Sequence, residues 1–370
     1  MTGNNVPLLT FPPGSLGSAS LRSAGDAYNE DDDGQASSVK RWYHYLPLCL
    51  VIFCLLIPHP SLLHVLIHYH LLVLDSPLQF TIHLLTTYTL TFAAFSSLIV
   101  CVARDPGPVP DPKHESGDGE DMTLEDALMA PPPADDYLQP GRWCKICWAP
   151  KPERAHHCSA CGRCVLKMDH HCPWVGAKCI GHRTYPSFVH LLASVTLLAL
   201  YIASVNISGL WYAFSNPLSM GEVTPVHMLF LAFMGIVVTM IIGSFFGYHV
   251  YLILTNQTTI ENISSFHILR HLPPLPPSKL SSPPYEHELS FDQRRLVRAA
   301  HRSVRMYDIG WRRNWAQVFA PAHNWRMWLA RVLWGGACVG NGQKFPLNPR
   351  ADEMLARLAE ELVKLEQDRG

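Results

Sequence analysis

Long apolar runs, rather than alternation, set the pattern of this chain. Four of them, about Tyr43 to Ile67, Leu78 to Val102, Ser187 to Phe214 and Val226 to Leu254, match or exceed the roughly 20 residues that carry a helix across a ~30 Å hydrocarbon core. No Lys or Arg lies between Arg41 and Arg104 or between Arg183 and Arg270, and these windows hold only Asp75, Glu222 and Glu261 as acids. The pattern predicts four transmembrane helices. Pro58 and Pro60 interrupt the first, which predicts a kinked or frayed far end. The connectors 68–77 and 215–225 carry no Lys or Arg, whereas Lys40, Arg41, Arg104, Lys178, Arg183 and Arg270 flank the opposite ends. The excess of cations places both termini and the central loop in the cytosol.

The polar segments divide the rest. Residues 1–41, rich in Ser, Gly, Asn and Pro and carrying the acidic run Glu30 to Asp33, read as a disordered cytosolic tail. Spans one and two occupy 42–103, and an acidic, Pro-rich linker fills 104–140, with Lys113 its one Lys or Arg after Asp105. Residues 141–186 form a small Cys- and His-dense domain, spans three and four occupy 187–254, and 255–370 is a cytosolic tail. Within that tail, 271–284 holds six prolines and reads as an extended linker. A basic helix around 288–306 carries Arg294, Arg295, Arg298, Arg302 and Arg305, suited to anionic headgroups. A last helix is predicted from Asn348-Pro349, with Asn as cap and Met354, Leu355, Leu358, Leu362 and Leu365 on one face. Charged residues make up 16% of the 370, below the roughly 25% usual in soluble proteins. A formal net charge of −1 argues against a nucleic-acid partner.

Chemistry concentrates in one place. Seven of eleven cysteines fall between Cys144 and Cys179, interleaved with His156, His157, His170 and His171. Three Cys-x-x-Cys steps begin at Cys144, Cys158 and Cys161. Such turns supply paired thiolates to tetrahedral zinc, and so short a polar segment needs metal to hold it. Two Cys3His sites use eight ligands, whereas seven cysteines and four histidines make eleven. The surplus points to Asp169-His170-His171-Cys172, where a carboxylate-oriented imidazole can activate a thiol. Read from the residues alone, Cys172 could equally be one more metal ligand.

Together, C-x2-C-x9-HC-x2-C-x2-C-x4-DHHC-PW from Cys144, Asp105-Pro106-Gly107 after the second span, Thr258-Thr259-Ile260-Glu261 after the fourth, and the Trp311–Phe319 segment with Asn314 resemble the DHHC-type protein S-acyltransferases (palmitoyltransferases). The tail motifs look most like the fungal branch that contains the vacuolar palmitoyltransferase. The resemblance implies an all-α integral membrane fold: four transmembrane helices, with a cytosolic zinc-bound cysteine-rich DHHC domain between helices 2 and 3. It implies two structural zinc ions, one on Cys144, Cys147, His157 and Cys164, the other on Cys158, Cys161, His171 and Cys179. It makes Cys172 the nucleophile, His170 its base and Asp169 the group that orients the ring. The implied reaction passes an acyl group from palmitoyl-CoA through an acyl-enzyme on Cys172 to cytosolic cysteines of membrane-associated proteins. Trp174 would cap an apolar slot among the helices, while Lys151, Arg154 and His156 would contact the CoA phosphates. Asp105, Thr259 and Asn314 would be scaffold residues. The location implied is the endomembrane system (vacuole, Golgi or ER).

The chain departs from the family in places. Six residues separate Cys172 from Cys179, where the family usually has five, with Ala177-Lys178 in place of an Asn. The added residue raises a competing reading, a catalytically impaired member acting as a zinc-dependent membrane scaffold. A ring-type ubiquitin ligase fits less well, since its ligand pairs are spaced by longer loops. Weaker signals are His59, His64, His68, His70 and His83 near the far end of the first two spans, read as interfacial residues without metal, and Gly243-x-x-x-Gly247, read as a packing face. The glycosylation patterns at Asn206, Asn256 and Asn262 lie within a span or on the cytosolic side and are predicted unused. Cys101 reads as a plain membrane cysteine.

Overall fold

The computed structural model describes residues 29–30, 36–37, 42–109, 143–144, 146–147, 149–275, 280–281, 283–320 and 323–368. Most of the expected tail 1–41 and linker 104–140 lies outside them. The chain forms two units, 1–40 and 41–370. In the first, β1 (Asn29–Glu30) pairs antiparallel with β2 (Ala36–Ser37).

The second unit is built on four apolar helices, α1 (Trp42–Val73), α2 (Pro77–Ala103), α3 (Tyr185–Ser215) and α4 (Val223–Leu254), each long and apolar enough to cross a membrane. The first is interrupted at Pro58, which opens a new helical segment, and it runs further than expected, through a π-helical stretch, Leu66–Val73. A proline at the first turn of a segment gives up an N–H that would have no partner there. Tight helix contact falls at Gly235 and also at Gly243, where a Cβ would lie 3.2 Å from Thr196 Cγ2, but not at Gly247. A Cβ at Gly235 would lie 2.7 Å from the Ala199 carbonyl oxygen, whereas one at Gly247 would meet nothing within 4 Å.

Between α2 and α3 lie three short antiparallel hairpins: β3 (Trp143–Cys144) with β4 (Ala149–Pro150), β5 (His156–Cys158) with β6 (Arg163–Val165), and β7 (His170–Cys172) with β8 (Lys178–Ile180). The segment after α2 fastens to them. Leu166 N–H donates to Gly107 O (2.8 Å) and Arg183 N–H to Pro106 O (3.1 Å). Asp105 accepts from Gly107 N–H (2.9 Å) and from Arg163 Nη2 (2.7 Å).

After α4 come α5 (Thr259–Ile263), α6 (Phe291–Ser303), α7 (Trp311–Val318), α8 (Trp325–Trp334) and α9 (Ala351–Gln367). The last begins two residues later than Asn348 as cap suggested, with Arg350 at the cap position. The Asn348 side chain accepts from Arg350 N–H (3.0 Å), so it builds the turn before the helix instead of capping it. Leu355, Leu358 and Leu362 pack against Val297 of α6 and Leu269, forming a core of the tail's own.

Candidate active site and metal centres

The hairpin register explains how a short segment can assemble two metal sites. His157 stands opposite Cys164 and His171 opposite Cys179. Each cross-strand pair is completed by the Cys-x-x-Cys of the preceding hairpin: Cys144 and Cys147 for the first, Cys158 and Cys161 for the second. His157 Nδ1 lies 3.6, 3.2 and 3.9 Å from the sulfurs of Cys144, Cys147 and Cys164. His171 Nδ1 lies 3.6, 3.4 and 3.8 Å from those of Cys158, Cys161 and Cys179. These are close to the edges of a tetrahedron with Zn–S bonds of ~2.3 Å and Zn–N bonds of ~2.1 Å. Two Cys3His groups therefore fit zinc, and they are the groups the resemblance named.

Cys172 belongs to neither group. It ends β7 and is buried among Leu55, Leu98, Val175 and Phe188, an apolar cluster that reaches in from the spans. The short helical turn Pro173–Val175 packs on α1 and α2, which seats the thiol at the end of the bundle. Trp174 on that turn is half exposed. Residues 173–177 form the turn between Cys172 and Lys178; Gly176 and Ala177 both adopt left-handed backbone there (φ 79° and 49°), and His171 pairs with Cys179. Lys178 Nζ donates to the Val102 carbonyl at the end of α2.

His170 Nδ1 lies 2.8 Å from Asp169 Oδ2, and the Asp169 carboxylate is almost fully buried. Burial opposes charge on the His170 ring, but its hydrogen bonds with Asp169 and Cys172 outweigh it and push the pKa up to about 9. Phe188 of α3 meets the ring edge to face, with centroids 5.2 Å apart. The other oxygen of Asp169 accepts from Thr259 N–H (3.0 Å), and Thr259 Oγ1 donates to the Asp169 carbonyl. Asn314, wholly buried, donates to Leu254 O and to Asp308 Oδ1, both at 2.7 Å, tying α7 to the end of α4.

Two residues assigned to the CoA phosphates are placed otherwise. Arg154 is buried, with Nε and Nη2 donating to the Glu261 carboxylate at 2.7 and 2.8 Å and Nη1 to Asn256 Oδ1 at 3.0 Å. Its guanidinium also stacks on Tyr307 (4.3 Å) and Phe345 (5.0 Å). Burial alone would raise the Glu261 pKa, but the Arg154 charge overrides it and holds the carboxyl down at about 2. Arg154 is thus an internal strut between the zinc domain and the tail. His156 packs against His267, with ring centroids 5.5 Å apart, and burial pushes its pKa down to about 4, which keeps it neutral. Lys151 remains partly exposed. Sequence reasoning singled out Glu261 but not its pairing with Arg154, met Asn256 only as a glycosylation pattern, and gave Tyr307 and Phe345 no role, because contacts across more than 90 positions leave no local pattern.

Four membrane-crossing helices, two Cys3His centres and an Asp-His-Cys thiol site outside both define a polytopic membrane protein with a zinc-held thiol domain. Residues 138–265 match the family model described as DHHC palmitoyltransferase. That match agrees with the motifs of this chain. It is 33% identical over 220 residues to palmitoyltransferase ZDHHC15 of Xenopus laevis, covering 60% of this chain and 54% of the relative. It is 34% identical over 200 residues to probable protein S-acyltransferase 2 of Arabidopsis thaliana (50% and 48%). It is 40% identical over 121 residues to palmitoyltransferase pfa3 of Emericella nidulans (32% and 23%). The chain spans about half the length, or less, of these curated relatives.

Proposed function

We propose that this protein is a protein-cysteine S-palmitoyltransferase. The observation that carries the reading is the line Asp169–His170–Cys172, with the thiol outside both metal sites and resting on the apolar end of the bundle. With Nδ1 held by Asp169, His170 Nε2 takes the thiol proton. The Cys172 sulfur attacks the thioester carbonyl of palmitoyl-CoA; a new S–C bond forms, the bond to CoA sulfur breaks, and His170 returns the proton to the leaving thiolate. A substrate cysteine then attacks Cys172's thioester in the same way. Each step exchanges one thioester for another, so the protein's task is to supply thiolate, position and an apolar path for the chain. The zincs would act structurally, fixing the hairpins that aim β7.

The apolar side chains below Cys172, from Leu98 and Phe188 inward to Phe95, Val195 and Phe246, would line the acyl chain, which gains about 0.8 kcal/mol per buried methylene. Trp174 would face the thioester, and Lys151 would meet the CoA phosphates. The flanking cations orient the site to the cytosol, where membrane-associated proteins with accessible cysteines are the acceptors. An endomembrane compartment fits this orientation, and the resemblance of the tail motifs to the fungal vacuolar branch supports it.

The test is intact mass of the detergent-purified protein after incubation with palmitoyl-CoA. Wild type should gain one hydroxylamine-labile palmitoyl group, and Cys172→Ser none. An unmodified wild type that still holds two zincs would overturn the reading in favour of a scaffold.

A further inference from the structure

A second charged site lies away from the thiol. Arg298, His301 and Arg302 share one face of α6, at positions i, i+3 and i+4, and Arg305 follows just past its end. With Tyr251 and Asn262 among its other walls, these four line an open cavity of about 330 Å³. Among the described residues, no carboxylate lines it. Arg305 has Asp308 at 3.6 Å, and Arg298 lies over the Phe266 ring at 5.7 Å. Like charges one helical turn apart repel and destabilise the helix that carries them. Arg298 and Arg302 are held that way while the opposite face, with Val297, is buried against α9. An anion in the cavity would relieve that repulsion.

Two features say which anion. Tyr251 belongs to the last turn of α4, a membrane-crossing helix, and its hydroxyl accepts from Arg305 Nη2 at 3.5 Å. The cavity therefore opens at the hydrocarbon edge, at headgroup depth. Among the described residues, none from the zinc domain lines it, so the cavity is set apart from the thioester chemistry. We propose that this cavity binds the headgroup of a membrane lipid bearing more than one phosphate, such as a phosphoinositide. Guanidinium groups match phosphate oxygens in bidentate geometry, and basic pockets beside membrane helices suit multiply charged headgroups. The volume, near the lower end of ligand pockets, fits a headgroup and not a whole lipid. The site stands whether or not Cys172 is acylated.

The experiment uses the full chain in phosphatidylcholine nanodiscs, with and without phosphatidylinositol bisphosphate, and counts bound lipid by native mass spectrometry. Wild type should retain the bisphosphate lipid in preference to phosphatidylserine at equal net charge. Arg298→Gln/Arg302→Gln should bind it roughly tenfold more weakly or worse, whereas Arg295→Gln, on the same helix but outside the cavity, should match wild type. Two retained zincs per chain would show that the variants are folded. The proposal is overturned if phosphatidylserine binds equally well or if Arg295→Gln loses as much as the double variant. It also fails if the double variant binds normally, or if free CoA displaces the lipid at matched concentration, which would assign the cavity to a soluble phosphate donor.

Discussion

The guanidinium of Arg154 is enclosed, and its hydrogen bonds to Glu261 and Asn256 stand in for the water it gave up. Removing one partner of a buried pair strands the other charge, at a cost of about 3–5 kcal/mol. Arg154→Gln should therefore lower the thermal midpoint of the purified protein strongly, far more than Arg163→Gln at the half-exposed Asp105 pair; equal effects would refute the strut. Ala177 makes the opposite prediction. A non-glycine residue at φ 49° is strained, so Ala177→Gly should stabilise the protein by about 0.5–1 kcal/mol, read as a small rise in the same midpoint. At this scale the cluster was legible because it is crowded into 36 residues, Cys144 to Cys179, and the family resemblance divided it into two Cys3His groups and a thiol outside them. Arg154 was not, since nothing in Glu-Arg-Ala-His tells whether a guanidinium faces water or a glutamate 107 positions on.

Elements meet where side chains are smallest. α3 and α4 pack closely, and Gly235 lets the backbones approach at Ala199 and Ala203. Gly235→Val must push the helices apart, and we expect it to reduce thermal stability and the yield of monodisperse protein, whereas Gly247→Val should be tolerated because the space beside Gly247 is open. Reversed outcomes would move the helix contact from Gly235 to Gly247. Four helices were readable from hydropathy alone, to within a few residues for three of them. Hydropathy has no term for direction, and so could not tell which glycine faces a neighbour. The short α5 shows the same divide: Thr258 and Glu261 form a capping box that a local pattern can announce, while the docking of Thr259 on Asp169 is a tertiary event.

In the second unit of the chain, the tail closes over the zinc domain through buried groups that must stay neutral or paired. His267 packs between His156 and His271, with Arg270 and Glu261 acting on it. Burial, first of all, pushes its pKa from 6.5 down to about 3. The unfolded chain then binds a proton that the folded protein refuses, so this group's contribution is full above about pH 6.5 and is lost progressively as pH falls towards 3. His267→Gln removes that loss. The stability gap between wild type and variant should shift in the variant's favour below pH 6.5, by up to about 1.4 kcal/mol per pH unit. A gap that does not change between pH 7.5 and 5.5 would show the ring is not held neutral.

By itself the sequence determined the apolar spans, the crowding of cysteine and histidine, and the surplus of such groups over two Cys3His sites. Each of these rests on local spacing or on bulk hydropathy, and both survive any arrangement of the remaining chain. The tertiary structure alone decided which cations are free for ligands and which are struts. It turned Arg154 inward against Glu261 and set Arg298 and Arg302 in the wall of an open cavity. The physical reason is that a charge's role depends on its desolvation and its partner, and both are set by residues distant along the chain.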